Sequence, residues 1–273
     1  MNDCIDVAVI PAAGRGTRMR PATRVVPKAL ITVVDRPAIQ FAVEEAARAG
    51  AREAVIVIDQ DAGQLVHDHF EVEGALPGLE EVEVRSVIQE EPLGLGHAVA
   101  VAREAVADRP FFCLLADNIV RPGHDVLADL AAASEGGSTS VVCLRELTDE
   151  FLSRYGVVEP AGELVDGVID LRGAIEKPGR ENAPSRLGLI GRYLFTPDVF
   201  DLLDGQEPGH GGEIQLTDSI DSLGRKGRLR GSVADADLLD VGNPEGLFDA
   251  TVALAPSIVG EDVVAATLAT WRS

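Results

Sequence analysis

Between Val7 and Val34 the chain carries Arg15, Arg18, Arg20, Arg24 and Lys28 and not one Asp or Glu, although the 273-residue sequence has a formal net charge of -21. Five cations gathered in so acidic a chain are the pattern of an anion site. Their loop begins with Gly14 and Gly16, directly after the apolar run Val7 to Ile10. Glycine lets the backbone approach oxygen atoms and turn successive N–H groups toward them, as a phosphate cradle requires. Taken alone, the two glycines fit a tight turn equally well. They match neither standard nucleotide loop: Met19 stands where a dinucleotide fingerprint needs a third glycine, and no Gly-Lys is followed by Ser or Thr. Lysine use narrows the field, because Lys28, Lys177 and Lys226 are the only lysines among 24 basic residues. Arginine does not replace a compact, mobile ammonium at a phosphate. Lys226, within the run Arg225 to Arg230, reads as a surface residue.

These residues need a frame, and the hydrophobic pattern supplies one. Val7 to Ile10 predicts a buried strand, followed by a helix from Pro37 with Ile39, Val43, Ala46 and Ala47 on one face and Gly50 as its stop. Strands at Ala54 to Ile58, Val82 to Ile88 and Phe111 to Ala116 alternate with helices near Gln60 to Phe70 and Leu95 to Val106. Such a βαβ series implies a mainly parallel sheet covered on both faces, with its ligand site at the strand C-termini. The glycine loop, the segment after Ile88 and Asp117 all fall at such ends and are expected to converge.

From Ser138 the rhythm becomes α+β. Strand-like pieces at Ser138 to Leu144, Tyr155 to Val158, Val168 to Glu176 and Gly188 to Phe195 precede helical segments at Pro197 to Leu203, Glu213 to Gly224, Pro244 to Leu254 and Gly260 to Trp271. No repeat or linker divides the chain, so it is read as one domain, with a nucleotide-binding half over 1–137 and an acceptor half over 138–273.

Composition excludes other classes. The acidic balance should repel nucleic acid and anionic membranes, and no apolar run approaches the roughly 20 residues of a membrane span. The N-terminus has no basic region leading into an apolar stretch, so a cytoplasmic protein is expected. Cys4, Cys113 and Cys143 are too scattered for a disulfide framework or zinc cage, and Cys113 and Cys143 read as buried strand residues.

The stretch PAAGRGTRMRPATRVVPK resembles the signature of the bacterial UTP-glucose-1-phosphate uridylyltransferases and related sugar nucleotidylyltransferases. The resemblance continues in order through DRPAIQ, GLGHAV, LLADN, RYGVVE, IEKP, IGRY, GEIQLTD and DVGNP, from Val7 to about Leu254. It implies a Rossmann-like three-layer α/β/α fold with a smaller α+β sugar-binding portion. The implied reaction is attack of a sugar 1-phosphate on the α-phosphate of a nucleoside triphosphate, UTP with glucose 1-phosphate first, releasing pyrophosphate without a covalent enzyme intermediate. Catalysis would then rest on positioning and charge neutralisation.

By the same match, the backbone of Ala12, Ala13, Gly14, Arg15 and Gly16 would hold base and phosphates, Arg18 would grip the β- and γ-phosphates, and Lys28 would neutralise the reacting phosphates. Gln89 and Gly94 would read a pyrimidine edge. Gly156, Glu176, Lys177 and Gly191 would hold the sugar phosphate, with GEIQLTD helping to shape the acceptor pocket. Asp117 and Asp240 would bind Mg²⁺, a hard ion suited to one or two carboxylates plus substrate phosphates. Outside this context each Asp would read as a cap or turn residue. His97 reads as a capping or packing residue, because the reaction needs no proton shuttle.

Two departures bear on substrate choice. Ala29 follows Lys28 where many of these enzymes have Glu, and the stretch from Phe70 to Val87 is short. The alternatives are another triphosphate, dTTP first, another sugar or cyclitol phosphate, or a catalytically silent nucleotide-sugar-binding regulator. A homo-oligomer, dimer or tetramer, is expected.

Overall fold

The computed structural model describes residues 5–72, 76–121, 123–236 and 238–271, so Cys4 lies outside the described residues. Its frame is a nine-stranded sheet: β1 (Val7–Pro11), β2 (Glu53–Ile58), β3 (Glu83–Ile88), β4 (Phe111–Leu114), β5 (Ser140–Glu146), β6 (Val157–Pro160), β7 (Val168–Ile175), β8 (Leu187–Phe195) and β9 (Leu229–Val233). The spatial order is β3-β2-β1-β4-β8-β5-β9-β7-β6. β1 to β4 are mutually parallel, and β5 is parallel to β9. Only β8 and β7 run against the others. The α/β fold expected from the sequence is present, with the parallel run confined to β1 to β4 and the β5–β9 pair; the remaining pairings, through β8 and β7, are antiparallel, so the sheet as a whole is mixed.

Strand periodicity explains the layers. Alternate residues of β1 face opposite sides: Ala8 and Ile10 enter one core with Ile56, Phe112 and Leu114, while Val7 and Val9 enter the other with Val55, Phe111 and Val142. Helices α1 (Ala38–Arg48), through Ile39, Val43 and Ala46, and α2 (Val126–Ala133), through Leu127 and Leu130, cover the first face. The second is covered by Leu95–Ala100, by α3 (Val199–Asp204) with Phe200, and by α4 (Leu216–Arg225) with Ile220 and Leu223. Burying each large aliphatic side chain contributes about 1.5–3 kcal/mol.

Several boundaries differ from the sequence expectation. The predicted helix Leu95 to Val106 is two pieces, Leu95–Ala100 and Arg103–Val106. The helix α2 and the strand β9 were not expected. β9 reads LRGSV, a poor strand sequence, but Gly231 lets it pass against Leu144, whose Cδ1 would lie 2.3 Å from an added Cβ. Tertiary packing here overrides local propensity. Helix α5 (Pro244–Val259) packs Ala250 and Leu254 against Val33, Ala38, Ile119 and Val241, and α6 (Glu261–Trp271) follows it. No helix among the described residues is long and apolar enough to cross a membrane.

Candidate active site

The C-terminal ends of β1, β3 and β4 open into a cleft of about 500 Å³. Its wall includes Ala12, Ala13, Gly14, Arg15 and Gly16 from the first loop, Lys28, Gln89, Gly94 and Asp117. The three strand-end features thus do converge. Ala12 donates its N–H to the Val57 carbonyl at 2.7 Å, which fixes the loop to the sheet. The N–H groups of Ala13 to Gly16 donate to no carbonyl among the described residues, and amides at a cleft wall are ready donors to an anion. Gly16 is left-handed at φ 58°, and Thr23 Oγ1 donates to its carbonyl at 2.7 Å. An added Cβ there would meet Thr23 Cγ2 at 2.8 Å and Lys28 Cβ at 3.0 Å, so glycine is what lets the loop fold back onto Lys28.

Gln89 is buried at the edge of this cleft. Its Nε2 donates to the Gly94 carbonyl at 3.2 Å and lies 2.9 Å from His97 Nδ1, leaving Oε1 as the carboxamide's acceptor for a ligand. His97 therefore orients Gln89, a partner the sequence did not reveal. Gly94 has φ 117°, and an added Cβ would lie 2.7 Å from the Ile214 carbonyl. Ile214 donates to the Leu93 carbonyl and Gly96 to the Ile214 carbonyl, so GLG and GEIQLTD are stitched together and Glu213 reaches the first cleft.

A second cleft, about 330 Å³, adjoins the first and shares Leu95, Leu115 and Asp117 with it. Arg18, Gly156, Glu176, Lys177, Gly191 and Asp240 line it. Thr217 Oγ1 donates to Glu176 Oε2 at 2.6 Å and Lys177 Nζ lies 2.9 Å from Glu176 Oε1, so this carboxylate is held from both sides. Gln215 of GEIQLTD, expected to shape the acceptor pocket, also lines the cleft, as do Arg154, Tyr155 and Thr217, for which only the surrounding motifs, not the side chains, stood out in the sequence. Burial, then the Asp240 carboxylate, push the Tyr155 phenol up, which keeps it a neutral donor. Burial and Glu176 likewise push Asp218 up. Arg20, Arg24 and Lys226 are exposed and line neither cleft.

The clefts meet at Lys28, Asp117 and Asp240. A two-stranded ribbon pairs Asn118–Val120 with Leu238–Asp240 in the register Asp240 opposite Asn118, and Val241 donates to the Asp117 carbonyl at 2.8 Å. Lys28 Nζ pairs with Asp117 Oδ2, so the two groups assigned to phosphate and metal neutralise each other here. Asp240 Oδ1 accepts from the Gly242 N–H at 2.8 Å, and Arg154 Nη2 stands 3.7 Å from Oδ2. A Cβ on Gly242 would lie 2.8 Å from Asp240 Oδ1, 2.9 Å from Asp117 Oδ2 and 3.0 Å from Lys28 Nζ. All three charged groups thus crowd around a glycine in DVGNP whose importance the motif alone did not single out.

Residues 7–257 match the nucleotidyl transferase family. The chain is 37% identical to UTP–glucose-1-phosphate uridylyltransferase 2 of Staphylococcus saprophyticus, over 92% of each protein. It is 38% identical to the UTP–glucose-1-phosphate uridylyltransferase of Pseudomonas aeruginosa, over 90% of this chain and 95% of that one. A crystal structure of UDP-glucose pyrophosphorylase complexed with UDP-glucose superposes with a TM-score of 0.86 at 32% identity, covering 93% of this chain and 99% of the other. With its glycine loop, paired clefts and a sheet covered by helices on both faces, the chain belongs to the nucleotidyl transferase family.

Proposed function

We propose that this enzyme transfers the uridylyl group of UTP to glucose 1-phosphate, giving UDP-glucose and pyrophosphate. The observation that carries the proposal is the meeting of two clefts at Lys28, Asp117 and Asp240, which suits two polyanions reacting at their junction. The relatives named UTP–glucose-1-phosphate uridylyltransferases supply the substrate pair.

In this reading UTP occupies the first cleft. The Gln89 carboxamide and the backbone at Gly94 meet the uracil edge, and the amides of Ala13 to Gly16 receive the triphosphate. Glucose 1-phosphate occupies the second, with its hydroxyls donating to Glu176 and its phosphate beside Lys177, while Gly156 and Gly191 leave room for the sugar. A phosphate oxygen of the sugar attacks the α-phosphorus, the bond to the β-phosphate oxygen breaks, and pyrophosphate leaves past Lys28 and Arg18. Lys28, Arg18 and the loop amides offset the charge that develops on the transferring and leaving oxygens. Holding the two substrates in line replaces an unfavourable encounter of like charges.

Asp117 and Asp240 fit a divalent ion. Two carboxylates converge, and among the described residues no group of three or more acidic, His or Cys side chains forms an all-protein cage. That donor set suits Mg²⁺ shared with substrate phosphates, where the ion would neutralise phosphate charge. The halves 1–137 and 138–273 are proposed to act as one unit, which the shared sheet supports. A cytoplasmic homo-oligomer completes the proposal, with Phe248, Val252 and Val263 exposed on the last two helices as candidate contacts.

The test is pyrophosphate release with Mg²⁺, pairing UTP, dTTP, CTP, ATP and GTP with glucose 1-phosphate and other sugar phosphates. Release confined to UTP and glucose 1-phosphate is expected. A strong preference for another pair would overturn the substrate assignment, and no release with any pair would favour a silent nucleotide-sugar binder.

A further inference from the structure

The largest fully buried side chain among the described residues is a charged one, Arg192 of β8, at 0% exposure. Its five N–H donors all have partners. Nε donates to Glu45 at 2.9 Å (Oε1) and 3.1 Å (Oε2), and Nη2 to Glu45 Oε2 at 2.8 Å. Nη1 donates to the carbonyls of Gly191 at 2.9 Å and Leu115 at 3.2 Å, and Nη2 also to that of Asn118 at 2.5 Å. Glu45, itself buried, comes from α1, on the far side of the glycine loop in sequence.

Taking a guanidinium and a carboxylate out of water costs several kcal/mol, and an apolar pair would cement the same layers at least as well. What an apolar pair could not supply is a rigid fork of donors. Two of the carbonyls that Arg192 grips, at Leu115 and Asn118, bracket Asp117. The same turn is held by Leu115 N–H to the Gly191 carbonyl at 3.0 Å, by Asn118 N–H to the Leu115 carbonyl at 3.2 Å, and by Asn118 Nδ2 to the Ile190 carbonyl at 3.3 Å.

We propose that the Glu45–Arg192 pair is a positioning device for Asp117: it clamps the turn 115–118 so that the carboxylate faces the junction of the two clefts. Neither member of the pair lines either cleft. It also couples α1, which follows the phosphate loop, to β8, which borders the acceptor cleft through Gly191. The inference rests on the reading of Asp117 as a carboxylate that works at the reacting phosphates, and its test separates the two.

The experiment compares wild type, Arg192→Lys, Asp117→Asn and the double variant. Each is examined by thermal melting, by electron paramagnetic resonance of Mn²⁺ binding to the UTP-saturated protein, and by kcat and KM for each substrate. A lysine keeps the charge opposite Glu45 but cannot reach all the carbonyls at once. Arg192→Lys is expected to lower kcat about 30-fold and to weaken Mn²⁺ binding about tenfold, while KM for glucose 1-phosphate moves less than about threefold. In the Asp117→Asn background the same substitution should lower neither kcat nor Mn²⁺ affinity further, although its effect on melting persists. A folded Arg192→Lys protein with wild-type kcat and Mn²⁺ affinity, or losses that simply multiply in the double variant, overturns the proposal. Unchanged kcat and Mn²⁺ affinity in Asp117→Asn alone overturns the underlying reading of Asp117 instead. Should Arg192→Lys not fold, Glu45→Asp, which retains both charges but withdraws the carboxylate by one methylene, decides in the same way.

Discussion

Gly242 shows how little space the site leaves at the scale of one residue. A methyl group there would press on Asp240, Asp117 and Lys28 at once, while no apolar core side chain stands among its nearest neighbours. Gly242 is itself buried, but the atoms an added methyl would meet are the ends of side chains rather than backbone, so Gly242→Ala is expected to lower kcat at least about tenfold and shift Tm by no more than about 3 °C. Steady-state kinetics beside a thermal melt would check this, and a variant that is fully active would show that the junction has slack. Asp240 is less clean a probe, because its carboxylate also accepts from Gly242 and Asn243 and holds the approach to α5.

At the scale of elements, the acceptor cleft depends on how closely α4 lies on β7. Gly224 makes that contact: an added Cβ would sit 2.6 Å from Gly173 N and 2.8 Å from the Arg172 carbonyl oxygen, both backbone atoms that cannot swing aside. Gly224→Ala should cost about 2 kcal/mol or more by overpacking. The same helix begins beside Gln215 and carries Thr217, which holds Glu176, so a displaced α4 should also raise KM for the sugar phosphate several-fold and leave KM for UTP nearly unchanged. Urea unfolding and substrate titrations check the two halves of the prediction separately. An equal rise in both KM values would mean that α4 is not specific to the acceptor side.

Over the whole molecule, one sheet passes from the nucleotide half into the acceptor half through β4 and β8, with a core on each face. Cys113 lies in one of these cores and Cys143 in the other. Burial pushes both thiols up to about 12, so neither is a thiolate at neutral pH while the protein is folded. If the halves form a single unit, a thiol reagent at pH 8 should leave both unlabelled in the native protein and label both with one urea midpoint. Peptide mapping distinguishes them from Cys4. Two separate midpoints would mean that the two faces open independently.

The sequence by itself determined the local grammar: an apolar run ending in glycines, a loop cleared of carboxylates, and strands alternating with amphipathic helices. Those features need only neighbours in the chain, because side-chain periodicity and charge spacing are local quantities. It also marked Lys28, Asp117 and Asp240 through their motifs. The arrangement of these residues was a tertiary matter. Asp240 reaches Asp117 through a ribbon whose strands lie far apart in the chain, and Arg192, which the sequence did not single out within IGRY, meets Glu45 only because β8 inserts beside β4. Strand order and burial decide such meetings, and neither is written in any short stretch of the chain.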